Sequence, residues 1–279
     1  MEGIRPIKLI THSGKFHADD VFATAWLGLI LRSMDYYIDD IIRTATITDE
    51  MRQWEEEGKA IIYDIGGGKF DHHQEGSPVR DNGIQYAAFG LVVRAFWPED
   101  RPYYERFDEV FVQSIDESDT TPKRNPLSLA ISRFNPDWTD NPTPGLIESL
   151  FNEAVKTATM FIAHELSHQE AILQAEKIYD SAVPVTNRVI LLSEYAPIYE
   201  YCYYNSIDFF IAKGNRENGQ WNLMSLKTAE GDNKDLIPEE FRGEGCKNFP
   251  GMIFCHKSGF LAAFDSKESA VKFAEEYLR

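Results

Sequence analysis

The amino-acid sequence predicts an α/β fold, a parallel sheet flanked by helices, followed by a smaller C-terminal α+β domain. Two observations carry this prediction. Up to Pro184, short apolar runs alternate with helically patterned segments, the order expected of right-handed βαβ units on a parallel sheet. Past Pro184 the pattern changes to short, closely spaced strands and one closing helix. The boundary therefore falls there, with residues 1–184 as the first domain and 185–279 as the second.

The first strand is Ile7-Lys8-Leu9-Ile10, which ends at Thr11-His12 and turns through Ser13-Gly14. Over residues 18–32 the apolar positions Val21, Phe22, Ala25, Trp26, Leu29 and Ile30 recur at helical spacing and form one face. Asp19 and Asp20 open this helix, where carboxylates are favoured by free amides and the helix dipole. Either one alone reads as a cap. With His12 and His17 on the same strand-to-helix loop, one of them reads as a metal ligand, and Asp19 is the choice. Residues 41–47 form a second strand, 49–57 a short helix and 60–63 the next strand. Gly83 precedes a helical pattern over residues 86–96 that Pro98 ends. A further helix over 103–114 delivers Ile115 and then Asp116-Glu117-Ser118-Asp119, which is either a solvated turn or the last carboxylate of a site. Residues 125–144, rich in Pro, Asn and Asp, read as ordered loop. A long helix follows over 146–179, with Ile147, Leu150, Phe151, Ala154, Phe161 and Ile162 on its buried side. Strands at 189–192, 209–212, 221–226, 253–256 and 260–264 precede a last helix over 269–278. That helix is entered through Asp265-Ser266-Lys267-Glu268, a capping-box pattern.

A chain of 279 residues, 43% of them hydrophobic, suits one large domain or two with a real core. The opening Met1-Glu2-Gly3-Ile4-Arg5-Pro6 lacks a charged region followed by an apolar one, so no secretory signal is expected. No apolar stretch is long enough to span a bilayer, so no membrane partner is expected either. Cys202, Cys246 and Cys255 are an odd number without metal-type spacing and read as reduced thiols of a cytoplasmic protein. The formal charge of −17 repels long polyanions over most of the surface, whereas sequence-independent nucleic-acid binding rests on a basic footprint. A phosphate-bearing substrate would need bound metals and a few local cations, and short or small substrates suit the chain better than duplexes.

The chemistry concentrates in residues 60–73, AIIYDIGGGKFDHH. An apolar strand stops at Asp64, three glycines turn the chain, and Lys69-Phe70 lead into Asp71-His72-His73. Ligands of open α/β sheets bind just outside the carboxyl ends of the strands, which is where this stretch lies. Asp with neutral His favours a borderline divalent cation such as Mn²⁺, Zn²⁺ or Fe²⁺. On extended backbone His72 and His73 point to opposite sides, so one can ligate the metal while the other faces a substrate. The alternative is a polar loop that happens to contain histidines.

A competing motif, His164-Glu165-Leu166-Ser167-His168, fits the H-E-x-x-H zinc helix of metallopeptidases. Its extended form fails, since Ala171 stands at the Gly and Gln174 at the third His. Glu176 lies about two turns further along the same helix, and nothing fixes Glu194 as a ligand. A helix with two polar histidines on a boundary face is the better reading. His256 follows an apolar strand and precedes Lys257-Ser258-Gly259, a turn able to present backbone amides and a cation to an anion. A strand-end His beside a hairpin turn explains it equally well.

The elements Thr11-His12-Ser13-Gly14-x-Phe16-His17-x-Asp19, Asp64-x-Gly66-Gly67 and Asp71-His72-His73-Gln74 together resemble the DHH phosphoesterase superfamily. More narrowly, they resemble the melanocyte-proliferating-gene exonuclease family, formerly an uncharacterised protein family. The likeness continues through Gly83-x-x-Tyr86-Ala87, Ile115-Asp116-x-x-Asp119, Arg133-x-Asn135-Pro136-x-Trp138 and Gly251-x-Ile253-Phe254-x-His256-x-Ser258-Gly259-Phe260, so it spans nearly the whole chain in order.

This resemblance implies a DHH-like metal-binding catalytic domain followed by a substrate-binding one. It also implies two divalent ions, Mn²⁺ first and Mg²⁺, Zn²⁺ or Fe²⁺ as alternatives. His12, His17 and Asp64 would hold one ion, and Asp19, Asp64, His72 and Asp116 the other, with Asp64 bridging. Such a pair activates a shared water and stabilises the entering and leaving oxygens at phosphorus. His73 would contact the phosphate and Asp71 would orient a ligand. Arg133, His256, Lys257 and Gly259 would bind substrate. Most of the superfamily has His-x-x-x-Asp-x-Asp in its first motif. Here the His12 to His17 spacing is one residue longer and His replaces the first Asp, which shifts preference toward softer ions. The expected function is a metal-dependent phosphoesterase, a 3′-to-5′ exonuclease on RNA or short oligonucleotides. The rivals are a phosphohydrolase acting on pyrophosphate or a nucleotide, a zinc peptidase using His164 and His168, and a non-catalytic metal-binding interaction protein.

Overall fold

Strand β1 (Arg5–His12) lies between β2 (Tyr36–Thr44) and β3 (Ala60–Ile62), and both neighbours run parallel to it. The description comes from a computed structural model and covers residues 4–214 and 219–279, so Met1 to Gly3 of the opening segment lie outside it. Parallel strands need crossovers. Helices α1 (Ala18–Ser33) and α2 (Asp49–Glu56) supply them, the second capped by Thr48, whose side chain accepts from the Met51 N–H. Ile10 and Ile62 pack with Ile42, Met51 and Trp54 between the sheet and α2. Strand β2 begins earlier than its apolar run suggests, because its ladder with β1 starts at the Arg5–Tyr36 pair and none of its first five positions is buried.

After β3 the chain forms α3 (Ala88–Ala95) and then one helical run: α4 (Tyr104–Phe107), a π turn over Asp108–Val112, and α5 (Gln113–Thr120). The acidic segment read as a turn is thus helical. Helix α6 (Pro126–Ser132) occupies part of the segment read as loop. Its residues are turn formers used as helix starters: Asn125 Oδ1 accepts from the N–H groups of Leu127 and Ser128, and Pro126 sits in the first turn. Helix α1 packs against β2, α3, α5 and α6, so it is buried on nearly every side instead of the single face that its spacing predicts. Its Trp26 stacks on Trp97 with ring centres 5.4 Å apart, and Phe22 packs against Phe89 and Phe111.

Helix α7 (Pro144–Asp180) runs on from here, and the chain divides inside it, into units 1–169 and 170–279. The division precedes Pro184 because Ala175, Ile178 and Tyr179 pack with Ile190, Leu192 and Phe210 of the second unit. That unit is a mixed sheet of β4 (Val183–Pro184), β5 (Val189–Leu191), β6 (Phe209–Lys213), β7 (Trp221–Ser225), β8 (Met252–Cys255) and β9 (Leu261–Phe264), in the order β4-β5-β6-β7-β9-β8. Only β5 and β6 pair in parallel. The two-residue alternation sends Phe209 and Ile211 to one face, where α8 (Lys267–Tyr277) contributes Phe273 and Ala274, and Phe210 and Ala212 to the other. Among the described residues no helix is long and apolar enough to cross a membrane.

Candidate metal centre

The carboxyl ends of β1 and β3 and the start of α1 bring histidines and carboxylates together. His12 is the last residue of β1, and its Nδ1 lies 3.1 Å from the Ser13 carbonyl oxygen. Donation there leaves Nε2 facing inward as the nitrogen that binds a metal once its proton is released. Nε2 is 3.2 Å from Asp20 Oδ2 and 3.2 Å from Asp64 Oδ2. Asp64 follows β3 with φ of 58°, a left-handed conformation that an Asp tolerates and most residues resist. Gly66 continues the turn at φ +87°; a Cβ there would sit 2.8 Å from Ile47, and the Arg52 guanidinium donates to its carbonyl. Asp71 then ties the turn together. It accepts from the Gly67 N–H at 2.6 Å, the His73 N–H at 3.0 Å and His73 Nδ1 at 2.9 Å. These bonds hold its carboxyl below the usual range although burial alone would raise it.

Among the described residues three groups of ligand atoms result: His12, Asp20 and Asp64; Asp64, Asp71, His72 and His73; and His17, Asp19 and Asp119. Asp64 belongs to two of them, and His72 links the second to the third. Its Nδ1 is 3.3 Å from Asp64 Oδ1, and its Nε2 is 2.9 Å from Asp119 Oδ2. Asp19, Asp20 and Asp64 are buried together, and burial with the charges of Asp64, Asp119 and Asp20 pushes the Asp19 carboxyl well above its usual range. Burial likewise raises Asp20, although His12 beside it pulls the other way. Burial opposes the His12 imidazolium, yet Asp20 and Asp64 outweigh it and push its pKa up to about 10. His72 rises for the same reason, with Asp119 prevailing over burial. Both Asp19 carboxylate oxygens, Asp20 Oδ2, Asp64 Oδ1 and His72 Nδ1 are buried and make no well-aligned hydrogen bond, Asp20 and Asp64 meeting the histidine rings only as ion pairs. Buried acceptors of this density are ordinarily satisfied. Divalent cations held by these groups would satisfy them, and oxygen with imidazole donors suits ions of borderline hardness.

His12, His17, Asp19, Asp64 and His72, expected from the sequence as ligands, therefore lie together, with Asp71 and His73 beside them. His17 is the outlying member, half exposed, with Nδ1 3.8 Å from Asp119. Asp116 stands apart and corrects the expectation. Its Oδ2 accepts from Arg80 Nη2 at 2.7 Å and its Oδ1 from the Gly90 N–H at 3.0 Å, while Arg80 also forks onto Asp108. A buried guanidinium claims the carboxylates nearest to it. Asp119, one turn later on α5, meets His72 instead, a helical spacing hidden by reading the segment as a turn. The sequence also posed a false choice between Asp19 and Asp20. Asp20 Oδ1 caps α1 by accepting from the His17 N–H at 2.9 Å while Oδ2 faces His12. Asn135, which the sequence offers only inside a family motif without a role, binds both the N–H and the carbonyl of Phe16 with its side chain, at 3.0 and 2.8 Å, anchoring the loop that carries His17.

Arg133 caps the end of α6, is exposed, and lines a cavity together with His17 and Asp119. In the second unit, His256 Nδ1 lies 2.6 Å from Ser258 Oγ and 3.2 Å from the Ser258 N–H, and Lys257 is exposed. Gly259 has a structural reason to be glycine: at φ +77° a Cβ would meet the Arg242 guanidinium and come within 3.1 Å of the Ile237 carbonyl. His164 and His168 are exposed on α7, and among the described residues neither joins a metal-type cluster.

Comparison with known proteins agrees with the reach of the motifs. Relatives include a MYG1 protein of Caenorhabditis elegans, 25% identical, with 96% of this chain and 94% of that protein covered. The MYG1 exonuclease of Homo sapiens is 24% identical, with 98% and 86% covered. A MYG1 protein of Saccharomyces cerevisiae is 23% identical, with 96% and 94% covered. Among solved structures, RecJ from Thermus thermophilus in complex with Mn²⁺ aligns over 97% of this chain at 13% identity and a TM-score of 0.30, and this chain spans about half of it, 52%. A family model matches residues 8–278, and the chain belongs to that family, the Uncharacterised protein family (UPF0160).

Proposed function

We propose that this chain is a metal-dependent phosphoesterase and, within that class, a 3′-to-5′ exonuclease acting on RNA or short oligonucleotides in the cytoplasm. The observation that carries the reading is the set of buried carboxylate and imidazole groups, short of well-aligned hydrogen bonds, gathered around Asp64. The narrower reading draws on the relatives named exonucleases. In this reading His12, Asp20 and Asp64 hold one divalent ion, and Asp19, Asp64, His72 and Asp119 a second, Mn²⁺ being the first candidate. Such ions lower the pKa of water and stabilise the oxygens entering and leaving phosphorus. The protein's own groups do the rest. Ser13 fixes the His12 tautomer, and Asp71 accepts from His73 Nδ1 and so fixes the orientation of its ring toward a substrate. The exposure of the His73 side chain, 61%, suits contact with a substrate.

Metal-dependent hydrolysis of a short oligoribonucleotide, pyrophosphate and casein by the wild type, His72→Ala and His164→Ala tests the reading. Oligonucleotide cleavage that needs added metal, is lost in His72→Ala and persists in His164→Ala is the expected result. Casein cleavage lost in His164→Ala overturns it, as does a protein that cleaves no phosphoester. Preference for pyrophosphate overturns the exonuclease part alone. Metal uptake has its own signature. Asp20 and Asp64 hold the imidazolium form of His12 in place, so Mn²⁺ added to chelator-treated protein in weak buffer near pH 8 should release protons. Affinity should accordingly fall as pH is lowered.

A further inference from the structure

A cavity of about 440 Å³ opens beside the metal centre. His17 and Asp119 belong to its wall, and Lys123, Arg124 and Arg133 give that wall a local positive charge in a chain whose net charge is −17. Lys123 is spoken for by Glu117, 2.6 Å away. Arg124 and Arg133 are exposed, and among the described residues neither has a carboxylate partner. A guanidinium without a counter-ion presents a planar fork that matches a phosphate. The two arginines flank the seven-residue helix α6, whose length is about 10 Å at the usual rise per residue. A pair so placed addresses two anionic groups rather than one. The wall between them is neutral, with the Ser118 and Ser128 hydroxyls bonded to each other at 2.7 Å. The volume lies within the roughly 300–1,000 Å³ typical of small-ligand clefts, which admits a stretch of single strand and not a duplex.

We propose that this cavity seats the phosphodiester backbone next to the scissile phosphate, with Arg124 and Arg133 each binding a phosphate outside the metal centre. The preferred substrate is then a single strand of several nucleotides, whereas a mononucleotide or pyrophosphate reaches only the metal end. This deepens the phosphoesterase reading and rests on it for the position of the scissile bond. The net negative surface and the two unpartnered arginines together explain how a chain this acidic grips a polyanion: locally, over a few phosphates.

The test is fluorescence anisotropy of a 5′-labelled tetraribonucleotide in Ca²⁺ across a salt series, for the wild type, R124E/R133E and the milder Arg124→Gln/Arg133→Gln, with a mononucleotide as competitor. The expected result is at least tenfold weaker tetranucleotide binding in R124E/R133E, a smaller loss in the Gln pair, and a log–log salt slope flattened by about 0.7 for each arginine lost. The mononucleotide's competition constant should not change. Unchanged slope and affinity overturn the inference, as does an equal loss for the mononucleotide. Both arginines are exposed, and a matching melting temperature establishes that the variants fold. A wild type that binds through the arginines without cutting defeats the phosphoesterase reading and leaves this site standing. A wild type that cuts while both variants bind as before does the reverse.

Discussion

Asp64→Asn removes metal-dependent cleavage, with kcat/KM down about 10³-fold or more, while the metal-free protein stays at least as stable as the wild type. The loss follows from position. Asp64 is within 3.2 Å of His12 and 3.3 Å of His72, so its charge belongs to both halves of the centre. In the proposed mechanism ions held there supply several kcal/mol of charge stabilisation at phosphorus, and about 4 kcal/mol is a thousandfold in rate. The stability follows from repulsion. The Asp64 charge helps to push the Asp19 carboxyl up, and an amide relieves that strain in a site shaped for ions. Asn also tolerates the left-handed backbone that Asp64 adopts, so the substitution tests charge and not conformation. Initial rates over a Mn²⁺ series, with urea midpoints in chelator, measure both halves. Full activity in the variant, or collapse of its metal-free fold, contradicts the assignment.

Asp116→Asn and Asp119→Asn should part company although they lie three residues apart. Asp116 is fully buried against Arg80, and breaking a buried pair costs roughly 3–5 kcal/mol. Asp108 still holds Arg80, so a loss of on the order of 3 kcal/mol is expected, with activity per folded molecule retained. Asp119 is partly exposed and meets His72, so its neutralisation should weaken metal binding and lower kcat while the urea midpoint moves little. The opposite pattern would return Asp116 to the ligand set that the family resemblance implies.

What could be read from the sequence followed from signals that are local. β1, α1, α2, β3 and α8 each carry apolar periodicity or a cap in their own residues, and the glycine turn before Asp71-His72-His73 marks a strand end without help. The elements that escaped depend on partners distant in sequence. Asn125 and Pro126 look like loop until they are seen capping α6, and Asp116 looks like a ligand until the buried Arg80 is placed beside it. Asn135 acts on Phe16, 119 residues away, and no spacing rule connects them. The long helix α7 reads as one element but serves two cores, so a boundary drawn from composition at Pro184 misses the packing of Ala175 and Tyr179 with the second unit.

The central claim is that His12, Asp19, Asp64 and His72 together hold divalent cations. Anomalous diffraction at the manganese edge, from crystals grown with Mn²⁺, tests it most directly. Difference peaks enclosed by these four side chains are expected, with Asp64 touching more than one. Strong peaks at His164 and His168 instead, or none among the four at saturating Mn²⁺, would contradict it.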